Sequence, residues 1–302
     1  MSIALTPLSP TIGVEIRGCD LSKRLSDEDF RAVLNAYYRY SMVLIRGQQL
    51  SAEAQTAFLR RFGTPKISQR KEFHVPGVPE IGRVGNTKHP DGSPSAFLDR
   101  HGNLWHSDTA SDTHLDGVTM LYCVKTPDVG GDTLFASSVN AYARLPDPLR
   151  DRIEGRQVTH NFNKHNDYLL AKNPGSANPL SAEDRAKWPD RIHDLVQTHP
   201  ATGRKLYFVS PTLMKNISGY SEGESAELAA ALVAHATRPE FVLRHIWQVG
   251  DLVFWDNRAS LHSASPANYS GGERLMHRGY AYMQPPAYSI DHALSVAAET
   301  SQ

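Results

Sequence analysis

A histidine and an aspartate two residues apart, His106 and Asp108 within Trp105-His106-Ser107-Asp108-Thr109, set the strongest condition on how this chain can fold. In extended chain, residues i and i+2 point to the same side, so an imidazole and a carboxylate can be offered to one metal ion. Two ligands leave most of a coordination sphere open. The rest of the chain must therefore supply a third ligand and something to fill the remaining positions. The pair alone is weak, because His114-Leu115-Asp116 and His165-Asn166-Asp167 have the same spacing. Trp105 and the strand-rich chain that follows set the first pair apart, as suits a site at the mouth of a β-barrel with apolar walls.

His262 is the candidate third ligand, a few residues past a strand at 252–255 and after Trp255-Asp256-Asn257-Arg258. Two histidines and one carboxylate on one face of a metal form the facial triad of non-haem Fe(II) oxygenases, with three positions open for an organic co-substrate and O₂. Zinc accepts the same ligands, so the triad by itself leaves a hydrolase open. Arg274 turns the reading toward iron. A keto acid that chelates iron through its 1-carboxylate and keto oxygen leaves a distal carboxylate in need of a cation, and the planar guanidinium fork suits it.

Arg274 lies 12 residues after His262, a hairpin distance that would set it on a neighbouring strand near the metal. In a strand, 274, 276 and 278 share a face, so Arg274 and Arg278 can point into one cavity. Two inward arginines are costly without anions to pair with. One anion is the co-substrate, and the second would be an acidic primary substrate. The competing picture is an exposed edge strand with solvated arginines.

The remaining pattern is strand-dominated in the middle and at the end, with helices near the start and between strands. Residues 11–21 read as a short strand broken by Gly18. A helix follows, with Ser26 and Asp29 at capping-box spacing and Phe30, Val33, Leu34, Tyr37 and Tyr38 on one face. Residues 42–45 form a buried strand ended by Gly47, and a second helix begins at Ser51 and packs Phe58, Leu59 and Phe62. Strands are expected at 117–125, 132–136, 205–209, 241–248, 252–255 and 274–283, and helices over 138–153, interrupted near Pro146 and Pro148, and over 222–237. Residues 64–103 and 160–200 show no clear period and read as insertions covering the active site. Neither internal repeats nor a linker of distinct composition divides 1–302, which is read as one domain.

Lys and Arg total 32 and Asp and Glu total 32. With no net field and no block of like charge, neither nucleic acid nor an anionic membrane is an expected partner. No run approaches the ~18 apolar residues of a membrane span, and the N-terminus lacks the form of a signal peptide. Cys19 and Cys123 are too few for a disulfide framework or a thiolate zinc site, so a reducing cytoplasm is expected. Dinucleotide-binding, P-loop, nucleophile-elbow and H-E-x-x-H motifs are missing.

With these motifs in place, the chain resembles the taurine dioxygenase / 2,4-dichlorophenoxyacetate dioxygenase family of Fe(II)- and 2-oxoglutarate-dependent oxygenases. The matching stretches are Gly13-Val14-Glu15-Ile16-Arg17-Gly18-Cys19-Asp20-Leu21, Trp105-His106-Ser107-Asp108, Gly130-Gly131-Asp132-Thr133, Trp255-Asp256-Asn257-Arg258 with His262, and Arg274-Leu275-Met276-His277-Arg278. The resemblance implies a mainly β fold with flanking helices around a double-stranded β-helix (jelly-roll, cupin-like) core. It also implies His106, Asp108 and His262 as iron ligands, Thr133 and Arg274 as contacts to 2-oxoglutarate, and Arg278 at the carboxylate or sulfonate of a small anionic substrate.

Thr133 rests on the resemblance alone. His74, which corresponds to a substrate-contacting histidine in some members, and Asn103, just before the metal motif, are further candidate substrate contacts. Tyr280, Tyr282, Tyr288 and Phe254 could wall a pocket, although core packing accounts for them as well.

The expected reaction converts 2-oxoglutarate and O₂ to succinate and CO₂ while a substrate C–H is hydroxylated, with ascorbate stimulatory. Barrel enzymes of this family commonly assemble as dimers or tetramers, so a homo-oligomer is expected. A zinc hydrolase with the same triad and a non-catalytic jelly-roll binding protein are the alternatives from other classes. A halogenase would need the carboxylate position vacated, and Asp108 argues against it.

Overall fold

The computed structural model describes residues 3–68, 70–97, 104–172, 179–265 and 272–283. The candidates Asn103 and Tyr288 lie outside them.

The larger sheet runs, between hydrogen-bonded neighbours, through Ala4–Pro7, Val14–Arg17, Met42–Ile45, Leu252–Asp256, Gly117–Lys125, Leu275–Met283, Val78–Gly85 and His74–Val75, and Gly63–Pro65 pairs with the far end of Leu275–Met283. Against it stands a sheet of Val242–His245, Thr133–Ser137 and Ser260–Ala264. The chain passes from one to the other and back. Val242–His245 lies in the smaller sheet, Leu252–Asp256 in the larger, and Ser260–Ala264 in the smaller again. These crossings between the mixed larger sheet and the antiparallel smaller one make the double-stranded β-helix core. The first crossing turns at Gly250, whose φ is 87° and where a Cβ would stand 2.8 Å from the Gln48 carbonyl oxygen.

Strand alternation divides the apolar side chains between two layers. Met42, Leu44, Val253, Trp255, Cys123 and Met276 point between the sheets and meet Phe135 from the smaller one. Val43, Ile45, Leu252, Phe254, Val118 and Met120 point the other way, onto two helices. With both faces covered, strands such as 42–45 are apolar at every position, as the uninterrupted Met-Val-Leu-Ile run requires.

The helices are Asp27–Tyr40, capped by the Ser26 side chain on the Asp29 N–H, and Ala52–Leu59, capped by Ser51. They bring Tyr37, Phe58 and Phe62 around Phe254, with ring centroids 6.1, 5.7 and 5.5 Å away. Phe254 and Tyr280 are therefore core residues and do not wall the cavity.

The helix over 138–153 is split as expected into Ser138–Ala143 and Asp147–Ile153. Residues 64–103 depart from the expectation of a loop. They contain the eight-residue strand Val78–Gly85, which pairs along Leu275–Met283 from Ile81–Gly279 to Gly85–Leu275. Residues 160–200 likewise contain the helices Phe162–Lys172 and Ala182–Ala186 and the strands Arg191–Asp194 and Val196–Thr198. No helix among the described residues is long and apolar enough to cross a membrane.

Removal of the Phe254 ring should leave a cavity at the centre of the aromatic cluster. Phe254→Ala should lower unfolding stability by about 3–5 kcal/mol, read from the denaturant midpoint.

Candidate metal centre

His106 and His262 exchange both main-chain hydrogen bonds, His106 N to His262 O at 3.0 Å and His262 N to His106 O at 2.9 Å. His106 is thus held by an isolated antiparallel bridge to the strand Ser260–Ala264, and Asp108 lies in the turn beyond it. The two side chains converge as expected, but a bridge and a turn align them, without a continuous strand. The imidazole Nε2 atoms of His106 and His262 each stand 3.8 Å from Asp108 Oδ1. One potential ligand atom from each of the three residues lies within 4.8 Å of the others, the only such cluster of His, Cys, Asp and Glu among the described residues.

His106 and Asp108 are each oriented by a neighbour. His106 Nδ1 donates to the Leu104 carbonyl at 2.7 Å, which puts the ring proton there and leaves the Nε2 lone pair inward. The outer oxygen of Asp108, Oδ2, accepts from the Thr119 hydroxyl at 2.7 Å and from Arg278 at 2.9 Å. Asn257, fully buried, ties the turn down: its Oδ1 accepts from the Asp108 N–H at 3.3 Å and its Nδ2 donates to Thr119 at 2.9 Å. The Ser107 hydroxyl donates to the Asn257 carbonyl at 2.6 Å, and the Ser107 N–H donates to Ser210 Oγ at 3.3 Å. Ser210 is held in turn by His160, whose Nε2 accepts the Ser210 N–H at 3.0 Å.

The electrostatics keep Asp108 and His262 deprotonated. Burial would raise the Asp108 carboxyl, but Arg278, His262 and His106 together hold it well below the usual carboxylate range. Burial, reinforced by His106, pushes His262 down to about 3. Two imidazoles with an ionised carboxylate are the donor set of a divalent cation site. Ligand atoms about 2 Å from a common ion stand no more than about 4 Å apart, and the 3.8 Å separations meet that limit. The residues fit a metal ion.

The triad opens into a cavity lined by Thr133, Arg274 and Arg278 and walled by Val84, Phe97, Leu121 and Trp255. Arg274 is 7% exposed, whereas the Arg278 side chain is 41% exposed, so one cation lies deep and the other at the mouth. The two arginines do enter one cavity, but the route is not the expected hairpin. His262 belongs to the smaller sheet and the Arg278 strand to the larger, so they approach across the barrel. Thr133, in the strand beside His262, accepts a hydrogen bond from Trp247 Nε1 at 3.1 Å.

Other candidates fall elsewhere. His74 contacts the Ser68 carbonyl at 2.8 Å and does not line the cavity, and none of the described residues of 160–200 does so. Asp256 and Arg258 face away from the metal, Asp256 onto buried His199 at 2.9 Å and Arg258 onto Asp116. Sequence reasoning passed over Thr119, Ser210 and Leu104, which carry no spacing signal. Asn257 was visible only as part of a motif.

Residues 4–280 match the family described as taurine catabolism dioxygenase TauD, TfdA family. The alpha-ketoglutarate-dependent 2,4-dichlorophenoxyacetate dioxygenase of Cupriavidus pinatubonensis is 33% identical over 283 residues, covering 91% of this chain and 96% of that protein. The alpha-ketoglutarate-dependent sulfate ester dioxygenase of Pseudomonas putida is 30% identical, covering 92% and 89%. The crystal structure of AAD-2 in complex with Mn(II) and N-oxalylglycine is similar with a TM-score of 0.77 and 28% identity, covering 95% of this chain and all of that one.

Two measurements probe the supports of the triad. Asn257→Ala should weaken Mn(II) binding about 10–100-fold in a titration of the metal-free protein. His160 is held neutral, pushed to about 3 by burial and by His193. The folded state therefore binds fewer protons than the unfolded state between the ordinary 6.5 and about 3, and stability falls as pH drops through that window. Denaturant midpoints of the metal-free protein should decline steadily from about pH 6.5 downward, and His160→Asn should flatten the decline.

Proposed function

The chain belongs to the taurine catabolism dioxygenase TauD, TfdA family and is an alpha-ketoglutarate-dependent dioxygenase; we propose that it uses Fe(II) and O₂ to hydroxylate a small organic anion, a carboxylate, sulfonate or sulfate ester. The balanced change is substrate C–H, 2-oxoglutarate and O₂ giving substrate C–OH, succinate and CO₂. The observation that carries the reading is the pair of arginines at different depths in the cavity that holds the triad. A cavity with two such cations suits two anions, and the deeper one suits a co-substrate common to every turnover.

In this reading His106, Asp108 and His262 hold the metal. Bound there, Fe(II) would supply the redox chemistry that couples keto-acid decarboxylation to C–H oxidation. Arg274, with Thr133 beside it, takes the distal carboxylate of 2-oxoglutarate. Asp108 offers Oδ1 alone, because Oδ2 is taken by Thr119 and Arg278. Val84, Phe97 and Leu121 exclude water from the reacting carbon.

Arg278 at the mouth binds the acid group of the primary substrate and orients its neighbouring C–H. Among such anions, relatives named for phenoxy acids and a sulfate ester support ones whose oxidised carbon bears an oxygen. Hydroxylation there gives a hemiacetal-type carbon that collapses to a carbonyl compound and releases an alcohol, phenol or sulfate.

Aryloxyalkanoates, alkyl sulfates and sulfonates, screened for stimulated succinate formation with Fe(II) and ascorbate, should reveal the substrate. With that substrate, Arg278→Ala should raise its KM about 10–100-fold and change the KM for 2-oxoglutarate little, the loss expected for one charge-assisted pair. Arg274→Ala should do the reverse. Equal effects of each variant on both molecules would refute the division between the two arginines.

A further inference from the structure

The residue that aims Arg274 lies in the segment that sequence reasoning took for a covering loop. The ladder between Leu275–Met283 and Val78–Gly85 ends at the pair Leu275–Gly85. On its other side, the ladder to Gly117–Lys125 slips between Leu275 and Met276. Arg274 therefore stands where regular pairing has run out on both sides, and its main-chain groups need other partners.

Asn86 supplies them. Its Oδ1 accepts the Arg274 N–H at 2.6 Å, and its own N–H donates to the Arg274 carbonyl at 3.1 Å. Its Nδ2 donates to the Gly272 carbonyl at 3.1 Å, so the same side chain also fixes the approach to Arg274. Gly85 makes the close seat feasible. Its φ is 153°, and a Cβ there would stand 1.8 Å from the Arg274 carbonyl oxygen.

We propose that Asn86 is the positioning residue for Arg274, fixing the backbone from which the guanidinium reaches the distal carboxylate of the co-substrate. The inference rests on the reading of Arg274 as the co-substrate anchor. A bidentate guanidinium–carboxylate contact tolerates little error in the origin of the side chain, and a displacement of about 1 Å costs about a hundredfold in comparable settings. Asn86 does not itself line the cavity that holds the metal ligands. Its effect should therefore appear in co-substrate affinity and leave metal affinity alone.

The experiment is a calorimetric titration of the Mn(II)-loaded protein with N-oxalylglycine, alongside Mn(II) titration of the metal-free protein. Asn86→Ala should raise the N-oxalylglycine Kd about tenfold or more, with the Mn(II) Kd within about twofold of the parent. Asn86→Asp keeps the acceptor for the Arg274 N–H and loses the donor to Gly272, and should fall between parent and Ala. In turnover, Asn86→Ala should raise the KM for 2-oxoglutarate more than it lowers kcat.

A merely structural role would lower the melting temperature of Asn86→Ala and leave N-oxalylglycine affinity unchanged, which would overturn the proposal. Arg274→Ala is the control that separates the two levels. If it weakens N-oxalylglycine and Asn86→Ala does not, only the positioning role fails. If Arg274→Ala has no effect either, the anchor reading falls and the positioning role with it.

Discussion

Two hydrogen bonds between the main chains of His106 and His262 are the contact on which the site depends. They join a turn that follows Leu104 to a strand near the far end of the chain, and they place two imidazoles with ring centroids 4.1 Å apart. A bridge of this kind is local in space and remote in sequence, so the whole barrel must close before it can form. The crossing strands Leu252–Asp256 and Ser260–Ala264 do that closing, and Trp255 fills the space behind His262 at 4.7 Å. Sheet formation and assembly of the metal ligands are thus one event.

Around that bridge, charge is arranged so that the buried Asp108 carboxylate does not stand alone. Asp108 is flanked by Arg278, two imidazoles and the Thr119 hydroxyl, and the carboxylate would be costly at this depth without them. The neutral network of Asn257, Ser107, Ser210 and His160 does complementary work. It holds the turn in place without adding charge. Orientation comes from amide and hydroxyl groups, and charge balance comes from arginine.

Much of this was legible before any coordinates. The helix Asp27–Tyr40 announced itself by its Ser26 cap and its apolar face, and Gly117–Lys125 by the apolar stretch Met120-Leu121-Tyr122-Cys123-Val124. The three candidate ligands and both arginines were singled out from residue type and chemistry, and the fold brings them to one cavity. What the sequence hid has physical causes. Val78–Gly85 is a strand punctuated by Pro79, Gly82 and Gly85, residues that ordinarily signal a turn, and its stability comes from pairing with Leu275–Met283.

The hairpin expected between His262 and Arg274 failed because residues close in sequence can belong to opposing sheets of a jelly roll. Thr119, Ser210 and Leu104 act through a single hydroxyl or carbonyl at positions that only the closed fold brings together. No periodicity marks such residues.

Arg274 and Arg278 are four residues apart along one extended segment, with Met276 turned into the core between them. That arrangement acts as a molecular ruler. Extended chain advances about 3.3 Å per residue, so a regular strand would set the main-chain origins of the two cations about 13 Å apart, and the slip between Leu275 and Met276 adjusts that spacing. His262 approaches from the opposite sheet. On the proposed assignment, the length of molecule that reaches the metal while its acid group rests on Arg278 is graduated in steps of two residues along this strand. A new chain length would then be reached by moving the mouth cation one graduation, with the deeper cation and the metal left where they are.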